Sequence, residues 1–480
     1  MRNNKFLIPI IMLLLSIISF MLSKNTSIII CCICFTLYFL NSFINIKTHF
    51  LSMLFGISCF GFLFGSIVFN PNVINDISEE NIVLYCSILS LSITFIQFGS
   101  IFVREQKVKN ERIEQYRNQY SISLVYKTSK KIFWFTFIFC VLEALIRAKY
   151  MMNYGYVYLY NHPSVMTTGL NGIITDLSMI NNISLTILLS CLPKTKNVKK
   201  EFIATFIYGA LILLSGARAK LVNFIFLFVS YQFLTIYSYE NKNINFKKII
   251  KYSLLSICLI AILSSVFLNV VSYRSGGSSN TSNNSVVELI TSEGGTWKIV
   301  INSFYIYQRT TTLQHILFYS IPFIKTITLQ PFLNKLGIGF LPTNTYTSDY
   351  ALHSYDYASF YAYSINPSLY LSGGGLGSSY LAESYMFGKI FGVIFHSFII
   401  GFFFAKVSSN NKKYTLLKNA YVLSVLSNIF WSPRASALAS FFTFFSFSNI
   451  VVWLCIYVLI NLTLTKNKEE IKDGNSTFCK

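Results

Sequence analysis

The sequence predicts an all-α polytopic membrane protein with about 12 transmembrane helices and one long extracytoplasmic loop. Three observations predict it. Hydrophobic residues make up 53% of the chain and charged ones only 12%, with a mean hydropathy of +0.54, where soluble proteins carry about a quarter charged residues. Apolar runs of roughly 18 to 22 residues recur, the length that carries a helix across a hydrocarbon core with its backbone polar groups satisfied internally. Most of the 39 basic residues sit in short connections between those runs, so the formal charge of +21 reports topology instead of a nucleic-acid-binding face.

Hydropathy in chain order places the spans at 6–23, 26–45, 50–69, 82–103, 132–148, 169–192, 202–214, 221–239, 252–272, 388–405, 414–431 and 437–462. The first follows Arg2 and Lys5 and lacks a small-x-small cleavage site, so it reads as a span and not a cleaved signal. With the amino terminus inside, the basic connections 104–131, 193–201 and 240–251 all fall on the cytoplasmic side, as do both termini. Asp76, Glu79 and Glu80 then lie outside, together with one long segment. The chain divides into nine helices over 1–272, an extracytoplasmic region 273–387, three helices over 388–465 and a cytoplasmic tail 466–480. Nine of the ten cysteines fall within the expected spans, a pattern that implies no disulfide framework.

Four stretches carry chemistry-bearing residues, all on the outer side. The run Gly373-Gly374-Gly375-Leu376-Gly377 lets backbone approach another surface closely, and one carboxylate, Glu383, follows just before a span. Ser215–Lys220 joins the seventh and eighth spans and carries Arg218 and Lys220; Ser432–Ser436 joins the last two and carries Arg434. Arg274, at the exit of the ninth span, and Arg309 add two more cations. Guanidinium groups at one membrane face suit the oxygens of a lipid-linked phosphate or diphosphate, and equally a lipid headgroup. The outer segment also crowds eight tyrosines, Tyr357 and Tyr380 among them, beside His353 and Asp356. Aromatic faces next to hydrogen-bonding groups suit sugar rings, and tyrosines also form interfacial belts.

The remaining charges say less. Glu143 and Arg147 are four apart on one helix and are expected to pair. Asp176 and His396 fall inside spans, where they mark either a proton path or satisfied interior groups. His162, His315 and His353 follow no ligand spacing, and nothing resembles a nucleotide-binding loop, so neither metal nor other cofactor is expected.

Ser215–Lys220 in a helix hairpin, Gly373–Gly388 with Glu383 closing a long outer loop, and Ser432–Ser436 near the end together resemble the Wzy-type O-antigen polymerases, oligosaccharide repeat-unit polymerases of bacterial surface polysaccharides. The resemblance covers nearly the whole chain as topology. It implies a glycosyltransferase of the bacterial plasma membrane that joins undecaprenyl-diphosphate-linked repeat units into O-antigen or capsule on the outer face, with the bilayer and the lipid-linked oligosaccharide as partners. A chain-length regulator as a further partner stays open, and no nucleic acid is implied. On that resemblance Arg218 and Arg434, with Arg274, Arg309 and Lys220, hold the donor diphosphate, and Glu383 orients or deprotonates the acceptor hydroxyl. Asp349, His353 and Asp356 stand as alternatives for that second role. His353, Asp356, Tyr357, Gly374, Gly375 and Tyr380 are the expected sugar contacts. A flippase for the same lipid-linked oligosaccharide and a ligase that passes finished polysaccharide to another acceptor are the competing readings; a flippase would carry short outer loops and charges around a central cavity.

Overall fold

The computed structural model describes residues 6–103, 115–155, 158–162, 164–214, 218–239, 287, 290–291, 294–328, 330–342, 345–409 and 415–472. The expected ninth span, Arg274 and the Ser/Asn/Gly run after it lie outside the described residues. Those described form helices and turns, with no strand among them. Six described helices are long and apolar enough to cross a membrane: Lys24–Ile44, Thr48–Phe69, Glu79–Ile101, Gly169–Ser190, Tyr380–Ser408 and Leu438–Leu462. Leu7–Ser19 and Ala219–Thr235 are shorter apolar helices. The expected span at 132–148 is part of one helix of 40 residues, Gln115–Tyr154, and the last expected span is interrupted by a tight turn at Thr443–Phe445.

The helices group into two compact units. The first comprises 1–107, 240–413 and 428–441. Its centre is the Glu79–Ile101 helix, apolar on every face and buried along most of its length, as a helix enclosed by others must be. The Tyr380–Ser409 helix crosses it where Gly99 meets the Phe398 carbonyl and Gly401 meets the Ile96 carbonyl. Two facing glycines let the backbones touch, the usual way membrane helices gain packing without a hydrophobic driving force. Gly401→Ala should therefore wedge the pair apart. We expect a loss of about 1–3 kcal/mol, read as a lower Tm in detergent, and an unchanged Tm would show that the crossing yields.

The helix that begins at Ile46 carries a π turn at Phe60–Phe64 before continuing through Gly65–Phe69. One extra residue per turn shifts the register of the helix faces. Here it directs Phe62 edge-on at Trp431, ring centroids 5.0 Å apart, while Ser58 Oγ, on the preceding turn, donates to the Phe430 carbonyl.

The second unit comprises 108–239, 414–427 and 442–480. Gln115–Tyr154 packs along Gly169–Ser190, with Val125, Ile187, Val452 and Ile456 in one buried cluster. Two ionic nodes sit on the long helix. At one end Glu201, wholly buried, accepts from Lys130 Nζ at 3.1 Å and Trp134 Nε1 at 2.9 Å. Thirteen residues along, Glu143 forms the other.

Candidate functional site

The Tyr380–Ser409 helix is not straight. Gly388 (φ −157°, ψ 28°) and Lys389 (φ 51°, ψ −134°) break it, and the two parts fold against each other. A straight helix would separate residues 384 and 392 by about 12 Å and residues 380 and 397 by about 25 Å. Instead, Gly392 lies so close to the Ser384 carbonyl that a Cβ there would overlap it. Tyr380 Oη and Ser397 Oγ share one partner, Ser92 Oγ, at 2.7 and 2.8 Å. The stretch 380–387 is thus a short re-entrant helix, and the 20 residues after Lys389 span about 30 Å, enough to cross the hydrocarbon core. Broken helices of this kind are tolerated in a membrane where they are enclosed by protein or line a cavity.

Glu383 is on the short part. Its side chain is only 5% exposed. Ser378 Oγ donates to Glu383 Oε1 at 2.6 Å, and Ser436 stands near enough to the carboxylate to act on it electrostatically. These two serines come from the glycine-rich run and from the turn between the last two expected spans, so two of the stretches singled out in the sequence meet at this acid. Their backbones touch as well. Gly377, at φ 82°, stands against the Arg434 carbonyl, where a Cβ would make an ordinary contact of 3.7 Å with the oxygen; it is the positive φ that favours glycine. Ser432–Arg434 is a single tight turn with Ser432 and Pro433 buried and Arg434 half-buried.

Aromatic hydroxyls complete the surroundings. Burial holds the Tyr319 and Tyr357 phenols above their ordinary range, with smaller contributions from the Glu383 charge at Tyr319 and from Tyr361 and then Glu383 at Tyr357. Tyr319 Oη is 2.6 Å from His396 Nδ1. The His396 ring is 3% exposed, and its Nε2 meets no partner among the described residues. Either tautomer leaves that atom short of a hydrogen bond.

The other expected residues are placed as follows. Gly373 and Gly374 close the Pro367–Leu371 helix, their amides donating to the Tyr370 and Leu369 carbonyls at 3.0 and 2.8 Å, a C-terminal stop that needs the positive φ of Gly373. Gly375 stands in open space. Tyr380 and Tyr357 are interior, each 1% exposed, which leaves neither ring a face for a sugar. Tyr380 packs on Phe55 with centroids 5.6 Å apart, and Tyr357 on Phe318 at 5.7 Å. Asp356 caps the Tyr357–Ile365 helix through Ser359 N and Oγ. His353 Nδ1 and Asp349 Oδ1 pair at 2.9 Å on an exposed helix face. They edge a cleft of about 550 Å³ with an apolar floor that includes Leu317, Ile321, Phe340 and Leu341. Arg309 ends the Trp297–Arg309 helix, exposed.

In the second unit, Arg218 opens the Arg218–Tyr239 helix; its side chain and residues 215–217 lie outside the described ones. Lys220, expected among the diphosphate ligands, pairs with Glu143. Its Nζ lies 3.0 and 3.3 Å from the two carboxylate oxygens and 2.8 Å from Tyr208 Oη. Glu143, wholly buried, also pairs with Arg147 Nε at 2.8 Å, as its spacing predicts, and accepts from Ser178 and Tyr208. The sequence signal for this node was the lone mid-span carboxylate.

A model of the family described as O-antigen polysaccharide polymerase Wzy matches residues 5–467. Comparison with curated proteins and with solved structures returned no significant match.

Proposed function

The chain belongs to the O-antigen polysaccharide polymerase Wzy family, and from that premise we propose that it joins undecaprenyl-diphosphate-linked oligosaccharide repeat units into a surface polysaccharide at the outer face of the bacterial plasma membrane. The acceptor is the terminal hydroxyl of a new lipid-linked unit. Glu383 takes the proton from that hydroxyl, whose oxygen forms a bond to the anomeric carbon of the donor. The bond from that carbon to the diphosphate oxygen breaks, and the electron pair leaves on the diphosphate. Arg434 meets the charge as it develops on the leaving group, and Arg274 and Arg309 are assigned to the same anion. No nucleotide enters, because the donor already carries a diphosphate leaving group. The reading is supported by one observation: a buried carboxylate and an arginine-bearing turn, 51 residues apart in sequence, are neighbours in one helical unit, with Ser436 near the carboxylate and the Arg434 carbonyl in contact with Gly377.

Incubating the purified protein with the lipid-linked repeat unit in nonionic detergent tests it. Products longer by whole repeats are expected, whereas a flippase would leave the substrate mass unchanged. Arg434→Ala should lower turnover about a hundred- to a thousand-fold. Arg434→Lys should recover only part, since a point charge loses the planar two-bond contact to phosphate. Wild-type product ladders from Arg434→Ala would remove the donor site from this turn.

A further inference from the structure

The bend that presents Glu383 also carries a lysine in a backbone conformation that lysine disfavours. Lys389, at φ 51° and ψ −134°, lies in a region that glycine enters freely and that a side chain enters only with strain. A glycine is available one position earlier, but Gly388 takes φ −157°, which any residue adopts. The strain falls on the residue with the ammonium group.

That group is exposed at the tip of the re-entrant turn. Its Nζ stands 4.9 Å from the centre of the Tyr307 ring. The ring is fixed in turn by His315, stacked at 4.0 Å, and by Tyr385 at 5.9 Å. Tyr385 is two residues from Glu383 on the same short helix, so the cation is aimed by the element that carries the acid. Strained non-glycine residues concentrate at ligand-binding and catalytic positions, where the surrounding structure holds them. A cation–π contact positions an ammonium group while leaving its donors open.

We propose that Lys389 binds the phosphate groups of the lipid-linked donor, as a binding residue in addition to Arg434. The proposal rests on the polymerase reading, since it places the donor diphosphate beside Glu383. A phosphate there has two sources, the polyprenyl diphosphate donor and a bilayer phospholipid headgroup, and the reading commits to the first.

Binding of undecaprenyl diphosphate to the full-length protein in phospholipid-free nonionic detergent separates them, with phosphatidylglycerol as the parallel probe. Lys389→Met is expected to weaken undecaprenyl diphosphate binding by about tenfold or more and to leave phosphatidylglycerol binding unchanged. Lys389→Arg should restore the first. Lys389→Gly should bind as poorly as Lys389→Met and yet melt at a higher temperature, because it removes the strain along with the charge. Wild-type affinity in Lys389→Met overturns the proposal, as does an equal loss for both lipids, which would make Lys389 a headgroup anchor. If the wild-type protein itself extends no repeat units while still binding undecaprenyl diphosphate through Lys389, the polymerase reading fails and the phosphate site stands.

Discussion

Glu383→Gln is expected to yield a protein that enters the membrane in normal amount and leaves single repeat units unjoined, with turnover lower by about a hundred- to ten-thousand-fold. The amide matches the carboxylate in shape, and its oxygen still accepts the Ser378 hydroxyl that now sits 2.6 Å from Oε1. What it cannot do is take a proton. A structural role for Glu383 would tolerate that exchange, because the surrounding hydrogen bonds survive it; a role as base would not. The readout is the ladder of chain lengths together with protein abundance in the same membranes. Retained turnover would move the base to the Asp349–Asp356 group. There the first test is Asp349→Asn, since Asp356 is engaged as a helix cap by Ser359 N and Oγ at 3.3 and 2.6 Å and its loss would confound stability with chemistry.

How much of this site was legible before the structure can be traced residue by residue. The glycine-rich run, Glu383 and the Arg434 turn stood out because a carboxylate and a guanidinium are rare beside apolar spans, and rarity needs no three-dimensional information to detect. The re-entrant turn did not stand out. Apart from Glu383 and Ser384, Tyr380–Phe387 is apolar and aromatic, as is the stretch after it, so a hydropathy window reads both as the approach to one span. The break occurs at a lysine with positive φ, which no propensity marks. The surroundings of the tyrosines are hidden for a related reason. Tyr380 looks like an open aromatic face until Ser92, 288 residues earlier in the chain, supplies its hydroxyl with a partner at 2.7 Å. The place of Lys220 in the hairpin points to a phosphate ligand. Only the fold brings Glu143, 77 residues away, within 3.0 Å of it. Local pairings such as Glu143 with Arg147 follow from helical spacing; the long-range ones depend on which helices become neighbours.

The node around Glu143 sets the second large effect. Its carboxylate is wholly buried and receives Arg147, Lys220, Ser178 and Tyr208. Removing it with Glu143→Ala would leave two cations facing a hydroxyl pair in an apolar setting. Breaking a buried ion pair from one side costs about 3–5 kcal/mol. Arg147 and Lys220 keep 23% and 33% of their side-chain surface, so both can turn toward water, and the lower end, about 3 kcal/mol, is expected. The measurement is thermal unfolding in detergent, paired with abundance in the membrane. Glu143→Leu combined with Lys220→Met should recover part of the loss, since an apolar pair of similar volume replaces that ion pair while Arg147, with 23% of its side-chain surface exposed, turns to water. If instead the double variant falls by the sum of the two singles, Glu143 and Lys220 are not coupled. The first helical turn after Arg218 would then be held by something other than this carboxylate. Should the coupling appear, polysaccharide made by the recovered double variant bears on the hairpin itself: normal chain length would mean that Arg218 needs the turn held but not charged.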